Sequence, residues 1–154
     1  VWGSAATGCF LVILSNFFAE FSTILMIGFA ASFAAKLADT FGSEIGKRYG
    51  RKTFLITSLK LVNPGVDGAI SLEGTLASLV GSILMTYVMV TLSLIPEGIT
   101  IFIVVSSGFI ATILESYIGA FCQDRFAFLT NEVVNCLQTT FAAIIAISLS
   151  LWLL

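Results

Sequence analysis

An all-α, polytopic bundle of membrane-spanning helices is the fold class that the sequence predicts, and three observations predict it. Hydrophobic residues make up 58% of the 154-residue chain and charged residues only 10%, where soluble domains carry about 25% charged residues. So few charges cannot cover a water-facing surface. The apolar residues are gathered into five runs, each near the roughly 20 residues that a helix needs to cross a hydrocarbon core of about 30 Å. The charges crowd elsewhere: six of the seven basic residues, Lys36, Lys47, Arg48, Arg51, Lys52 and Lys60, lie between positions 36 and 60.

Taken in order, the predicted spans are 2–18, 21–38, 76–95, 99–120 and 133–154, and the chain 1–154 reads as a single transmembrane domain. Gly3, Ser4, Thr7 and Gly8 weaken the first span, which also lacks the basic leader and small-residue cleavage site of a signal peptide. The chain opens at Val1 inside an apolar stretch, so it reads as incomplete at its N-terminus. Breaks fall at Asn16–Glu20, at the long segment 39–75, at Pro96-Glu97-Gly98 and at 121–132. Counting crossings places the polar segments 39–75 and 121–132 on one face. The basic cluster assigns that face to the cytoplasm or its organellar equivalent, the stroma.

Several function classes are excluded. A net charge of −2 with no basic excess gives no footprint for nucleic acid. Histidine is absent, which removes Ser-His-Asp and Cys-His catalysis, imidazole proton shuttling and His-ligated metal sites. Cys9, Cys122 and Cys136 show no CxxC spacing and read as small apolar packing residues.

The segment 36–52 is the most informative. Ionisable residues at the end of an apolar helix are costly and seldom accidental. Lys36, Asp39 and Ser43 share a helical face, and Thr40, Glu44 and Lys47 form the neighbouring stripe. Asp39 and Glu44 stand about 140° apart on a straight helix. They ligate one metal only if the helix breaks, with Gly42 the candidate break; otherwise one carboxylate serves the metal and the other orients a phosphate-binding base. Gly42, Gly46 and Gly50 recur every four residues, which equally suits close helix packing, and the basic residues equally suit a topology signal or an anionic-lipid anchor.

Residues 60–75 add Lys60, a Pro64-Gly65 turn, and Gly65, Gly68 and Gly74 leading into the third span. Glycines let backbone N–H groups approach an anion, and a helix N-terminus favours negative charge. Ser71 or Thr75 also suits the cap of that helix, with Glu73 in its first turn. Carboxylates, cations and a glycine-rich helix start at one membrane mouth are the parts of a Mg²⁺-phosphate site. Phosphoryl transfer is mostly positioning and charge neutralisation, so it needs no histidine. Neither a Walker A loop nor a dinucleotide fingerprint is present.

The second polar region brings Glu115, Gln123, Asn131, with Asn131 expected to cap the last helix, and Asn135 one turn inside it. Asp39-Thr40-Phe41 and Glu115-Ser116-Tyr117 both read acid, hydroxyl, aromatic at the end of a span, a faint parallel repeat.

Four blocks in this order, "ADTFGSEIGKRYGRKTFLIT", "KLVNPGVDGAISLEGTLASLVGS", "ESYIGAFCQ" and "LTNEVVNCL", resemble the integral-membrane phytyl-phosphate kinase family. Its wider kin are CTP-using membrane enzymes such as phytol kinase, dolichol kinase and phosphatidate cytidylyltransferase. The resemblance covers about residues 30–140. Family members run longer at the N-terminus, and many have Asp where this chain has Glu115.

The resemblance implies a membrane phosphotransferase that moves a phosphoryl group from a nucleoside triphosphate, CTP, to phytyl phosphate. The product is phytyl diphosphate for tocopherol and prenyl-quinone synthesis in plastid or cyanobacterial membranes. Asp39, Glu44 and Lys60 are then the expected catalytic residues, with Asp39 and Glu44 the ligands of Mg²⁺ or another divalent cation. Ser43, Lys47, Arg48, Arg51, Lys52, Gly65, Gly68, Ser71 and Gly74 would bind phosphate and nucleotide. Lys36, Glu115, Gln123, Asn131 and Asn135 would complete the pocket. This reading requires Asp39, Glu115 and Lys60 to converge at one mouth. The expected partners are an isoprenoid phosphate and membrane lipids, with no nucleic acid. The alternative is a non-catalytic integral membrane subunit of a larger, even photosynthetic, complex, held through its helix faces. A transporter fits less well, because the polar groups gather at one end and not at the midplane.

Overall fold

Each apolar run folds as a helix. The computed structural model describes residues 2–122 and 130–154. Helix α1 (Trp2–Phe17) leads through one 3-10 turn (Ala19–Phe21) into α2 (Ser22–Tyr49). A short ribbon of β1 (Thr53–Leu55) and β2 (Ala69–Ser71) follows, then α3 (Leu72–Thr91), α4 (Ile99–Cys122) and α5 (Asn131–Leu153). The segments Ala19–Tyr49, Leu72–Thr91, Ile99–Phe121 and Asn131–Leu153 are long and apolar enough to cross a membrane. The fifth helix, α1, has 16 residues, or about 24 Å at 1.5 Å per residue, and is shorter than a full span.

Helix α2 departs most from the hydropathy reading. It continues unbroken through Gly42 to Tyr49 over 28 residues, about 42 Å, so its last turns outrun a hydrocarbon core of about 30 Å. The apolar run ends at Ala38, but Ala, Glu, Lys and Arg remain good helix formers beyond it. Gly50 then turns the chain with an extended backbone. Asp39 and Glu44 therefore stay on different sides of one straight helix, and the break that would let them share a metal does not occur.

Helix α2 is also the hub, touching the four other helices. Its inward residues are small: Ala30, Ala31, Ala34, Ala35 and Ala38 are fully buried. In lipid, where burying apolar surface between helices gains little, such residues hold a bundle by letting backbones approach. The contact with α3 shows this best. A Cβ on Gly74 would lie 2.8 Å from the Gly42 carbonyl oxygen and 3.1 Å from the Gly46 Cα, and one on Gly42 would collide with Ser78 Oγ. The four-residue glycine stripe is thus a packing device. Interhelical hydrogen bonds reinforce it. Ser82 Oγ donates to the Val105 carbonyl at 2.9 Å, and Gln138 Nε2, fully buried, donates to the Ala35 carbonyl at 3.2 Å.

The ribbon is the one element that hydropathy does not foresee. Thr53 pairs with Ser71 and Leu55 with Ala69 in antiparallel register, and Phe54 bridges Leu61 on the other edge. Gly65 and Gly68 take positive φ in the connection back, and Gly68 lies so close to α4 that a Cβ would sit 2.7 Å from the Ser116 carbonyl oxygen.

Helix boundaries follow caps and not hydropathy. Ser71 caps α3, its Oγ accepting from the Gly74 N–H at 3.1 Å, so α3 begins four residues before the expected apolar run. It ends at Thr91, and Ser93 then turns with φ 55°. At α5 the cap is Thr130, which accepts from the Val133 N–H. Asn131 is the first helical residue and not the expected cap.

Two outcomes follow. Gly74→Val should overpack the α2–α3 seam and lower stability by about 1–3 kcal/mol in reversible unfolding from mild detergent, whereas Ile83→Ala on the exposed face of α3 should change little. Ser71→Ala should cost about 1 kcal/mol and Ser71→Asp much less, read from the same transition.

Candidate functional site

The C-terminal turns of α2, the start of α3 and the end of α4 surround a cavity of about 260 Å³ roofed by the ribbon and its returning loop. Helix α2 forms the back wall with Asp39, Gly42, Ser43, Gly46 and Lys47. Helix α3 supplies Gly74, Thr75 and Ser78, and α4 supplies Phe109, Thr112, Ile113, Glu115 and Ser116. The roof runs through Thr53 and Ile56 and then from Pro64 to Ser71. Regular spacing explains the walls: 74, 75, 78 on α3 and 109, 112, 116 on α4 are helical stripes.

Among the described residues, three carboxylates, Asp39, Asp67 and Glu115, share this lining with one cation, Lys47. Asp39 is held from behind. Lys36 Nζ donates to Asp39 Oδ2 at 2.6 Å and to Asn135 Oδ1 at 2.8 Å, so one lysine ties the back wall to α5. Thr112, in the lining, accepts from Gln138 Nε2 at 3.2 Å and lies 3.3 Å from the Ala35 carbonyl, to which its hydroxyl donates. Helix α5 therefore contributes no lining residue but fixes two that do.

Of the residues singled out from sequence, Asp39, Ser43, Lys47, Gly65, Gly68, Ser71, Gly74 and Glu115 meet at the cavity. Lys36 and Asn135 stand directly behind Asp39. Ser71 and Gly74 have clear structural duties there, as a helix cap and in the α2–α3 seam. Glu44 does not line it: its side chain is 73% exposed and lies 4.0 Å from Lys47 Nζ. The helix runs unbroken from Asp39 past Glu44, so the break needed for the two to share a metal is absent, and Glu44 stands beside Lys47. Arg48, Arg51, Lys52 and Lys60 are exposed and outside the lining. Arg48 sits over the Tyr49 ring at 5.5 Å, and Lys60 sits in the ribbon's turn, where its carbonyl accepts from the Leu55 N–H. Convergence of Asp39 with Glu115 is present, while Lys60 does not join them, because the strand pairing that roofs the cavity puts it at the outer edge; the three-residue convergence required by the phosphotransferase reading is met by its two carboxylates and not by its lysine. Asn131 is also outside the lining, and Gln123 lies outside the described residues.

Asp67, Ser78, Phe109 and Thr112 are lining residues that the sequence reading passes over, and Thr75 and Ser116 enter it only as a helix-cap candidate and as part of the faint repeat. Asp67 lies in the Pro64–Gly68 turn, which is read there for its glycines alone. The others become visible by extending the Glu115 and Ser71 positions one turn at a time.

Among the described residues, no three His, Cys, Asp or Glu side chains gather as a metal-binding group. Magnesium needs only one or two protein carboxylates beside phosphate oxygens and water, and the hard oxygen donors Asp39, Asp67 and Glu115 suit that chemistry.

Comparison with known proteins agrees with a membrane family. The chain matches the profile "Integral membrane protein DUF92" over residues 1–143. It is 45% identical over 150 residues to the uncharacterized membrane protein sll0875 of Synechocystis, covering 97% of this chain and 58% of that protein. It is 41% identical over 160 residues to the chloroplastic protein VTE6 of Arabidopsis thaliana, covering all of this chain and 47% of that one. A third relative, the uncharacterized membrane protein MJ0933 of Methanocaldococcus jannaschii, is 37% identical over 123 residues, 79% of this chain and 50% of its own length. The chain thus spans about half the length of the curated relatives it matches. No solved structure matches it. With its apolar helices and a match over nearly its whole length, the chain belongs to the DUF92 family of integral membrane proteins.

Proposed function

We propose that this chain forms the catalytic bundle of a membrane phosphotransferase that extends an isoprenoid phosphate to the diphosphate: phytyl phosphate as acceptor, CTP as donor and phytyl diphosphate as product. The observation that carries the reading is one cavity in which Asp39, Asp67, Glu115 and Lys47 stand beside the apolar side chains of Phe109 and Ile113 at the end of membrane-spanning helices. A phosphorylated lipid needs this juxtaposition of a polar rim and a greasy wall. Similarity to a chloroplast protein and a cyanobacterial one supports a plastid or cyanobacterial membrane, with the cavity mouth on the stromal or cytoplasmic side.

The chemistry balances simply. A terminal oxygen of the lipid phosphate attacks the γ-phosphorus of the nucleotide, the bond to the β-phosphate oxygen breaks, and the nucleoside diphosphate leaves. A cavity of about 260 Å³ is just below the roughly 300–1,000 Å³ of drug-sized pockets, so it suits the reacting phosphates and not the nucleoside or the tail. Its carboxylates outnumber its lysine, so an entering phosphate is repelled unless a divalent cation accompanies it. Bound Mg²⁺ supplies that neutralisation; Asp39, with Glu115 or Asp67, would hold it. Lys36 holds Asp39 in place at the cavity wall through its hydrogen bond, and Lys47 draws in the phosphate. The N-terminus of α3, which opens onto the same space, adds its partial positive charge.

The second reading, a non-catalytic membrane subunit, is favoured by the position of Arg48, Arg51, Lys52 and Lys60 outside the cavity. Recovery of the protein in stoichiometric amounts in a larger complex, without transfer activity, would select it.

Purified protein in lipid should convert phytyl phosphate and a nucleoside triphosphate to phytyl diphosphate. Asp39→Asn should lower turnover on the order of 10²–10³-fold with an unchanged unfolding midpoint, while Lys60→Ala should stay within about twofold, a fraction of a kcal/mol in the barrier. Normal turnover in Asp39→Asn would remove the assignment. Chelation with EDTA should abolish transfer, and Mg²⁺ or Mn²⁺ should restore it; activity that survives chelation would contradict the role given to the carboxylates.

A further inference from the structure

The cavity has walls on three sides and a roof, but its lining draws nothing from α1 or α5. Two of the walls are α3 and α4, which pack against each other. Ser82 Oγ donates to the Val105 carbonyl at 2.9 Å, and a Cβ on Gly108 would meet Ser82 Oγ at 2.7 Å. One turn toward the rim, Ser78 and Thr75 on α3 and Phe109, Thr112, Ile113 and Ser116 on α4 line the cavity. Among the described residues the cavity therefore separates the two helices on the rim side of the Ser82–Gly108 contact, over about 12 Å from Gly108 to Ser116 at 1.5 Å per residue.

Leu76 and Val80 on α3 and Ile110 and Leu114 on α4, at the level of the cavity, are exposed apolar side chains. The cavity's lining grades from Lys47, Ser43 and Asp39 at the inner rim to Phe109 and Ile113 toward the membrane. Such a gradient fits a single-tailed amphiphile with an anionic head, because a charged head cannot follow the apolar edge and a tail cannot leave it without meeting water.

We infer that the gap between α3 and α4 is a lateral portal through which the hydrocarbon chain of a lipid monophosphate lies in the bilayer while its phosphate sits in the cavity, with Phe109 and Ile113 gripping the first carbons of the chain. The inference rests on the phosphotransferase reading for the identity of the head group, and on helix geometry alone for the path of the tail.

The test is photolabelling of the protein in nanodiscs, which needs no turnover. The probe is a long-chain alkyl monophosphate with a diazirine near the phosphate, and the control is the alcohol of the same chain. The phosphate probe should label the segment holding Phe109 and Ile113, and unlabelled phytyl phosphate should compete. Ile113→Trp should reduce that label about tenfold, equivalent to about 1.4 kcal/mol of binding; Ile113→Phe, a smaller insertion, should reduce it less, and Leu84→Trp on the outer face of α3 should leave it unchanged. An unfolding midpoint for each variant separates occlusion from misfolding. Label from the phosphate probe spread over the outward faces like that of the alcohol, or indifferent to both Ile113 variants, would overturn the portal. Labelling as expected with no transfer from any nucleoside triphosphate would keep the portal and discard the kinase reading. Transfer with label elsewhere would do the reverse.

Discussion

Close backbone approach around α2 is the constraint on which the rest of the structure depends. A helix inside lipid gains little from apolar contact with another helix, since the acyl chains it displaces are equally apolar. What remains is dispersion across very short distances and hydrogen bonding across the seam. The fully buried Ala30, Ala31, Ala34, Ala35 and Ala38 allow the first, and the Gly42–Gly46 stripe against Gly74 and Ser78 carries it out to the polar end. Because α3 is seated there by its first turn, the position of its N-terminus, of Ser71 and of the ribbon that Ser71 ends is set by the same contact.

Polar bonds then select one arrangement among those that close packing permits. Gln138 reaches from α5 to the Ala35 carbonyl and to Thr112, and Lys36 reaches from α2 to Asn135. These groups lie in or beside spans where an unmet donor is costly. They join α2, α4 and α5 behind the cavity, so the back wall and the α4 wall are braced, while Ser82 ties α3 to α4 below it. A polar back is where the bracing hydrogen bonds are made, and Phe109 and Ile113 give the cavity its apolar side.

Charge has the same asymmetry. The exposed cations Arg48, Arg51, Lys52 and Lys60 surround the roof and the outer turn of α2, where they suit headgroups and topology. At the cavity, the half-exposed Lys47 stands with three carboxylates, and Lys36 lies behind Asp39. Folding thus separates the six clustered basic residues into an outer belt of four, one at the cavity and one behind it, which in the proposed reading moves the weight of the phosphate chemistry from arginines to oxygen ligands and an accompanying cation.

Composition and hydropathy were enough to determine a helical membrane bundle, the number of its helices, and that Asp39 and Glu115 lie where two apolar runs stop, because a span length and a lack of surface charge are properties of the chain alone. Hydropathy could not see that α2 continues to Tyr49, since helix propensity outlasts apolarity there, nor that residues 53–71 form a ribbon, since strand pairing is a contact between distant positions. The glycine repeat of α2 allowed a helix break at Gly42 as well as close packing, and only the neighbours Gly74 and Ser78 showed it to be a packing stripe in a continuous helix. Tertiary structure alone placed Asp67, Thr112 and Ser116 beside Asp39 and sent Lys60 and Glu44 outward: which way a side chain faces depends on the helix or strand packed against it, and that partner is not written in the local sequence.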